Sequence, residues 1–155
     1  MKFDETEIAD VVAVFGGETG LALARGFRYE IGDVNRVVKD DDGRVTVELT
    51  VEGCADPYVR VHEFAHYYHC VLFPELSEAC LLYRAEAVAF LAEKIFEEKR
   101  HIPDDWSDKR TAQWAEVLEN NSNLRPLLDV VEMAAALPDE DIRGTVELIL
   151  AGGLG

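Results

Sequence analysis

The chain has 155 residues, 48% of them hydrophobic, and a formal net charge of −16 from 31 acidic and 15 basic side chains. That length and apolar content suffice for one core without disulfide staples, so the expectation is a single domain over 1–155, with a C-terminal helical part at about 104–155. The acidity argues against nucleic acid and anionic membranes, which need a positive field, and no apolar run is long enough to span a bilayer.

Three cysteines (Cys54, Cys70 and Cys80) form no C-x-x-C and are odd in number, which suits a reducing compartment or plain packing. The charged start Met1-Lys2-Phe3-Asp4-Glu5 does not read as a signal peptide, and the expected location is the cytoplasm. The negative charge also suits a basic peptide substrate or partner, although solubility alone accounts for it.

In chain order, Glu5–Val14 reads as a short amphipathic helix stopped at Gly16-Gly17. Gly16-Gly17-Glu18-Thr19-Gly20 has neither the G-x-G-x-x-G spacing nor a Lys-Ser/Thr ending and is taken as a turn, not a phosphate loop. Phe27–Ile31 and Val34–Lys39 carry strand-forming residues around Gly32-Asp33, and Arg44–Val51 alternates with period two. Asp40-Asp41-Asp42-Gly43 is a hairpin signal between the last two. Val45, Val47, Leu49 and Val51 are expected to face the core of a small antiparallel sheet.

A helix follows from Tyr58 to Phe73, with Pro57 in its first turn and Asp56 as N-cap. Ser77 to about Lys99 reads as a second long helix, ended before Pro103. Three more are expected at Asp108–Glu119, Leu124–Ala136 and Asp139–Ala151, started by Ser107, Asn123 and Pro138, the last stopped by Gly152-Gly153. Their expected role is to complete the core.

The first long helix carries His62-Glu63-Phe64-Ala65-His66, an H-E-x-x-H. On a helix the two histidines lie one turn apart on one face, where both imidazoles reach a single Zn²⁺ at about 2.0–2.1 Å. Glu63, one residue round, is placed to take a proton from a water activated by the ion. Val59, His62, His66, His69, Cys70 and Phe73 recur at helical spacing, so this face reads as the inward one, and buried histidines need partners. The plainer reading is a surface helix with solvated histidines. His69 lies about 10.5 Å along the axis from His62, too far to share one tetrahedral ion, and is expected to support the ligands or simply to pack.

The third ligand is sought on the second helix. Glu86 has Leu82, Tyr83, Ala89 and Phe90 on its neighbouring turns, and an ionised carboxylate there is costly unless paired or bound to a metal. The plainer reading is a Glu that reaches the helix edge or pairs with Arg84. Small neighbours Ala85, Ala87 and Ala89 let the two helices approach closely.

H-E-x-x-H followed some twenty residues later by a glutamate on a second helix resembles the gluzincin arrangement of zincin metallopeptidases. Arg84-Ala-Glu86-Ala-Val-Ala-Phe90 is also similar to the E-A-x-x-F segment of the small ImmA/IrrE-like peptidases. Over roughly residues 25–100, the resemblance implies an α+β, zincin-like fold, with a small antiparallel sheet beside the motif helix. His62, His66 and Glu86 would hold one Zn²⁺ and Glu63 would be the general base of peptide-bond hydrolysis. The strand before the motif helix would be the edge that takes an extended peptide. Tyr67, Tyr68, Tyr83 and His101 are candidate oxyanion donors.

Two other readings stand beside it. Glu63-x-x-His66 and Glu98-x-x-His101 share the E-x-x-H spacing of di-iron carboxylate bundles, with Glu86 or Glu93 as further ligands. The acidity alone suits a non-catalytic zincin-like adaptor that binds metal and a partner without cleaving it.

Overall fold

Val45, Val47 and Leu49 alternate with Thr46 and Glu48, and this period places Val47 and Leu49 fully inside while Thr46 and Glu48 stay partly exposed. They belong to strand β3 (Val45–Leu49), which lies between β1 (Tyr29–Ile31) and β2 (Arg36–Lys39) in a sheet of order β1-β3-β2. The structure, a computed structural model, describes residues 29–73, 75, 82–99 and 136–151, with positions 112, 115, 116, 119, 129–131, 133 and 134. The helix expected at Glu5–Val14 and the turn at Gly16–Gly20 fall outside these residues, as do most of the positions expected as helix at 108–136.

The β2–β3 hairpin closes at the expected place. Asp40 Oδ1 accepts from the backbone N–H groups of Asp42 and Arg44 at 3.0 and 2.8 Å. Gly43 supplies a φ of +82°, which L side chains rarely adopt. The sheet itself is mixed, which corrects the antiparallel expectation: β2 runs antiparallel to β3, but β1 runs parallel to it, with Tyr29 opposite Val47 and Ile31 opposite Leu49.

The cause lies in residues 32–35. Instead of turning β1 back on β2, they carry the chain across the C-terminal end of β3, a gap of roughly two strand spacings or about 9.6 Å, within the reach of four residues. Gly32 N–H donates to Leu49 O on the way, and Asn35 Oδ1 accepts from the Thr50 N–H at 2.9 Å. A second correction follows, since β3 is paired on both sides and cannot be the free edge. Within the described sheet the edges are β1 and β2.

The alternation expected to run through Val51 stops at Leu49. Thr50 accepts from Gly53 N–H at 2.9 Å and caps a short helix α1 (Val51–Ala55), leaving Val51 69% exposed rather than in the core. Asp56 then caps α2 (Pro57–Leu72), its Oδ1 accepting from Tyr58 N–H at 2.9 Å with Pro57 in the first turn. The Arg60 guanidinium donates to the Cys54 carbonyl and ties the end of α1 to the start of α2.

Tyr58, Val61, Phe64, Ala65 and Tyr68 form the fully buried stripe of α2. The histidine face, expected to be the innermost, lies beside that stripe and turns toward α3 (Leu82–Lys99). Helix α3 is buried almost all round from Ala85 to Phe96, as a helix between two layers must be. Helix α4 (Asp139–Ala151) packs Ile142, Val146, Ile149 and Leu150 into the same core and matches its expected bounds. The molecule is thus an α+β protein with a three-stranded sheet on one side of α2 and α3 on another. Among the described residues no helix is long and apolar enough to cross a membrane.

Candidate metal centre

Positions 62 and 66 are one turn apart on α2, and Glu86 lies one turn into α3, whose small residues Ala85 and Ala89 flank it. The close packing of these helices brings the three side chains together. His62 Nε2 and His66 Nε2 are 3.2 Å apart, His66 Nε2 is 2.9 Å from Glu86 Oε1, and His62 Nε2 is 3.2 Å from Glu86 Oε2. The edges of a tetrahedron with metal–ligand bonds of 2.0–2.1 Å measure about 3.3–3.4 Å. The three groups therefore face one another at nearly the separation that a shared ion sets, and among the described residues they are the one such cluster.

Two buried side chains contact the histidines of this cluster. His62 Nδ1 lies 3.4 Å from Glu93 Oε2, and Glu93 is 1% exposed. His66 Nδ1 lies 2.9 Å from His69 Nε2. Holding a cation at His66 Nε2 requires the proton on Nδ1, which then donates to His69. Burial, reinforced by the charge of His66, lowers the His69 pKa to about 3, so His69 stays neutral and accepts. Its other nitrogen sits 3.7 Å from Cys70 Sγ. Of the two roles expected for His69, support of His66 or plain packing, the contact with His66 Nδ1 fits the first. In the sequence Glu93 enters only as a further ligand of the di-iron alternative; its signal there is a second carboxylate two turns after Glu86.

Burial opposes a charge on His62, but Glu93 and Glu86 override it and raise its pKa to about 10. Burial likewise opposes ionisation of Glu86, and the hydrogen bonds from His62 and His66 overcome it, holding the carboxyl well below the usual range. A cation arriving at neutral pH must therefore displace the His62 proton. In protein stripped with a chelator, zinc affinity should rise about tenfold per pH unit from pH 6 to 8, below the His62 value. Calorimetry in buffers of different ionisation heat should find at least one proton released per ion at pH 6. Affinity flat across that range would remove the charged His62 from the picture.

Glu63 is 6% exposed, and its Oε2 is buried without a hydrogen-bond partner among the described residues. Burial raises its pKa, against the opposing charges of His62 and His66. It faces two cavities of about 200 and 320 Å³ that meet over the cluster. His62, Val59, Phe90 and Glu93 line the smaller, and His66, His69, Cys70 and the start of β2 line the larger. Asn35, Glu63 and Glu86 are common to both.

Of the candidate oxyanion donors, Tyr68 is fully buried against Phe64 and Phe73, and Tyr67 lines neither cavity. The side chains of Tyr83, Glu98 and His101 fall outside the described residues, so the second E-x-x-H gains no support.

Fold and site define an α+β protein with a His₂Glu triad between two helices and an acid beside it. No family model, curated protein or solved structure matches the chain.

Proposed function

We propose that this protein is a zincin-like metallopeptidase of gluzincin arrangement, in which His62, His66 and Glu86 hold one Zn²⁺ per chain and Glu63 is the general base. The observation that carries the reading is the convergence of the three ligands at tetrahedral-edge distances beside a buried, unbonded Glu63 oxygen. A purely structural zinc site is closed by four protein ligands and has no use for such an acid. The two imidazoles and one carboxylate suit zinc and leave a fourth position open.

When bound, the ion acts as a Lewis acid on water and on the substrate carbonyl. Glu63 takes the proton of the attacking water and passes it to the leaving amine nitrogen as the C–N bond breaks. Its raised pKa makes it a stronger base than a solvent-exposed glutamate. Glu93 and His69 hold the imidazoles of His62 and His66 in the tautomers that point Nε2 at the ion. The substrate is an extended peptide or protein segment laid along β2, whose first residues line the larger cavity and whose outer edge is not paired within the described sheet. A net charge of −16 favours a basic one.

The test is metal content by mass spectrometry on protein purified without an affinity metal, followed by a peptide library. About one zinc per chain and cleavage of library peptides are expected. No metal after zinc is offered would end the reading. Zinc without cleavage of any peptide would favour the acidic, metal-binding adaptor.

A further inference from the structure

We propose that the side-chain amide of Asn35 donates the hydrogen bond that receives the substrate's carbonyl oxygen as it gains negative charge. The inference rests on the peptidase reading above and supplies a donor that Tyr67 and Tyr68 do not.

The orientation of Asn35 follows from its partners. The Thr50 backbone N–H can only donate, so the side-chain oxygen of Asn35 must face it, at 2.9 Å, and the Thr50 hydroxyl lies 3.4 Å from the same oxygen. The amide nitrogen is thereby turned away from Thr50, and no acceptor among the described residues takes it up. Gly53 makes room for this arrangement, because a Cβ there would run into the Asn35 side chain. The crossing loop 32–35 and the cap of α1 thus hold one amide in a set direction, which is the preorganisation an oxyanion donor needs.

Its location fits the role. Asn35 is one of the three residues common to both cavities, and the other two, Glu63 and Glu86, are carboxylic acids. Of the other polar groups there, His62 and His66 are committed to the ion, Glu93 and His69 to them. The Arg36 side chain is drawn to Glu48 on the far face of the sheet, its Nε 2.6 Å from Glu48 Oε2. Among the described residues, Asn35 is therefore the neutral side-chain amide donor over the point where the two cavities meet. Being neutral, it serves a developing oxyanion without forming an ion pair with Glu63 or Glu86.

The test uses zinc-loaded full-length protein and acetohydroxamate, a small anion with a carbonyl oxygen. Zinc content is measured first, since absence of zinc in the wild type overturns the peptidase reading and this one together. Asn35→Asp keeps the oxygen that accepts from Thr50 and replaces the donor by a second oxygen. It should hold zinc and melt like the wild type, yet bind acetohydroxamate at least tenfold more weakly. Asn35→Ala should lose a similar factor in affinity and some thermal stability with the Thr50 bond.

In wild type labelled with ¹⁵N-asparagine, the chain has four Asn residues, Asn35, Asn120, Asn121 and Asn123. The side-chain amide pair that disappears in Asn35→Asp should shift on adding acetohydroxamate. This needs no folded variant if the pair is assigned through the backbone. Wild-type affinity in Asn35→Asp, or an Asn35 amide that stays still at saturation, would overturn the proposal while leaving the zinc site standing. Once a peptide substrate is in hand, Asn35→Asp should lower kcat about 10²–10³-fold with little change in KM.

Discussion

His66→Ala and Glu86→Ala should each lower zinc affinity by about 10²–10³. Four-ligand zinc sites bind with apparent energies of about 10–16 kcal/mol, or about 2.5–4 kcal/mol per ligand. Both residues sit at the centre of the cluster, and the 2.9 Å contact between them is its shortest. Glu93→Gln should cost less, about 10–100-fold, because the amide still meets His62 Nδ1 but no longer draws the imidazole with a charge. A competition titration against a chromophoric chelator reads all three variants on one scale. The ordering matters as much as the size. Wild-type affinity in His66→Ala would sink the ligand assignment, and a Glu93 loss equal to that of Glu86 would make Glu93 a ligand.

That gradation separates what was legible in the sequence from what was not. The three residues of the cluster were legible because each carries a local signal. H-E-x-x-H needs only helical spacing, Asp56-Pro57 marks where that helix starts, and Glu86 stands out as a carboxylate among Ala and Phe. The hairpin was legible for the same reason, since Asp40 and Gly43 close it through their own side-chain and backbone preferences.

What failed depends on contacts between distant segments. Thr50 continues the strand alternation as well as it caps a helix. Only the bond to Gly53 and the brace from Asn35 decide for the cap and push Val51 into solvent. The parallel pairing of β1 hangs on the path of residues 32–35 over the end of β3, where the composition around Gly32-Asp33 suggested only a turn. Asn35 itself is an ordinary loop residue in the sequence, and its place at the site follows from that crossing. Glu93 lies between: its spacing from Glu86 was visible, but its partner on α2 was not.

Glu63→Gln should lower turnover about 10²–10⁴-fold, the usual contribution of a positioned general base, while zinc content stays at the wild-type level. Gln keeps the shape and the polar end of the side chain but cannot take a proton at neutral pH. The same substitution should leave thermal stability unchanged or raise it. Glu63 is 6% exposed, its Oε2 has no hydrogen-bond partner among the described residues, and burial raises its pKa, so the fold works against its ionised form. A neutral isostere relieves that cost. Opposite signs for activity and stability are the mark of a group kept for its chemistry and not for the fold. Kinetics on a library-derived peptide and thermal melting of both zinc-loaded proteins measure the pair of effects. Full turnover in Glu63→Gln would take the base role from Glu63. A Glu63→Gln protein that melts well below the wild type would mean that its carboxylate holds the site together, and the acid would then be structural.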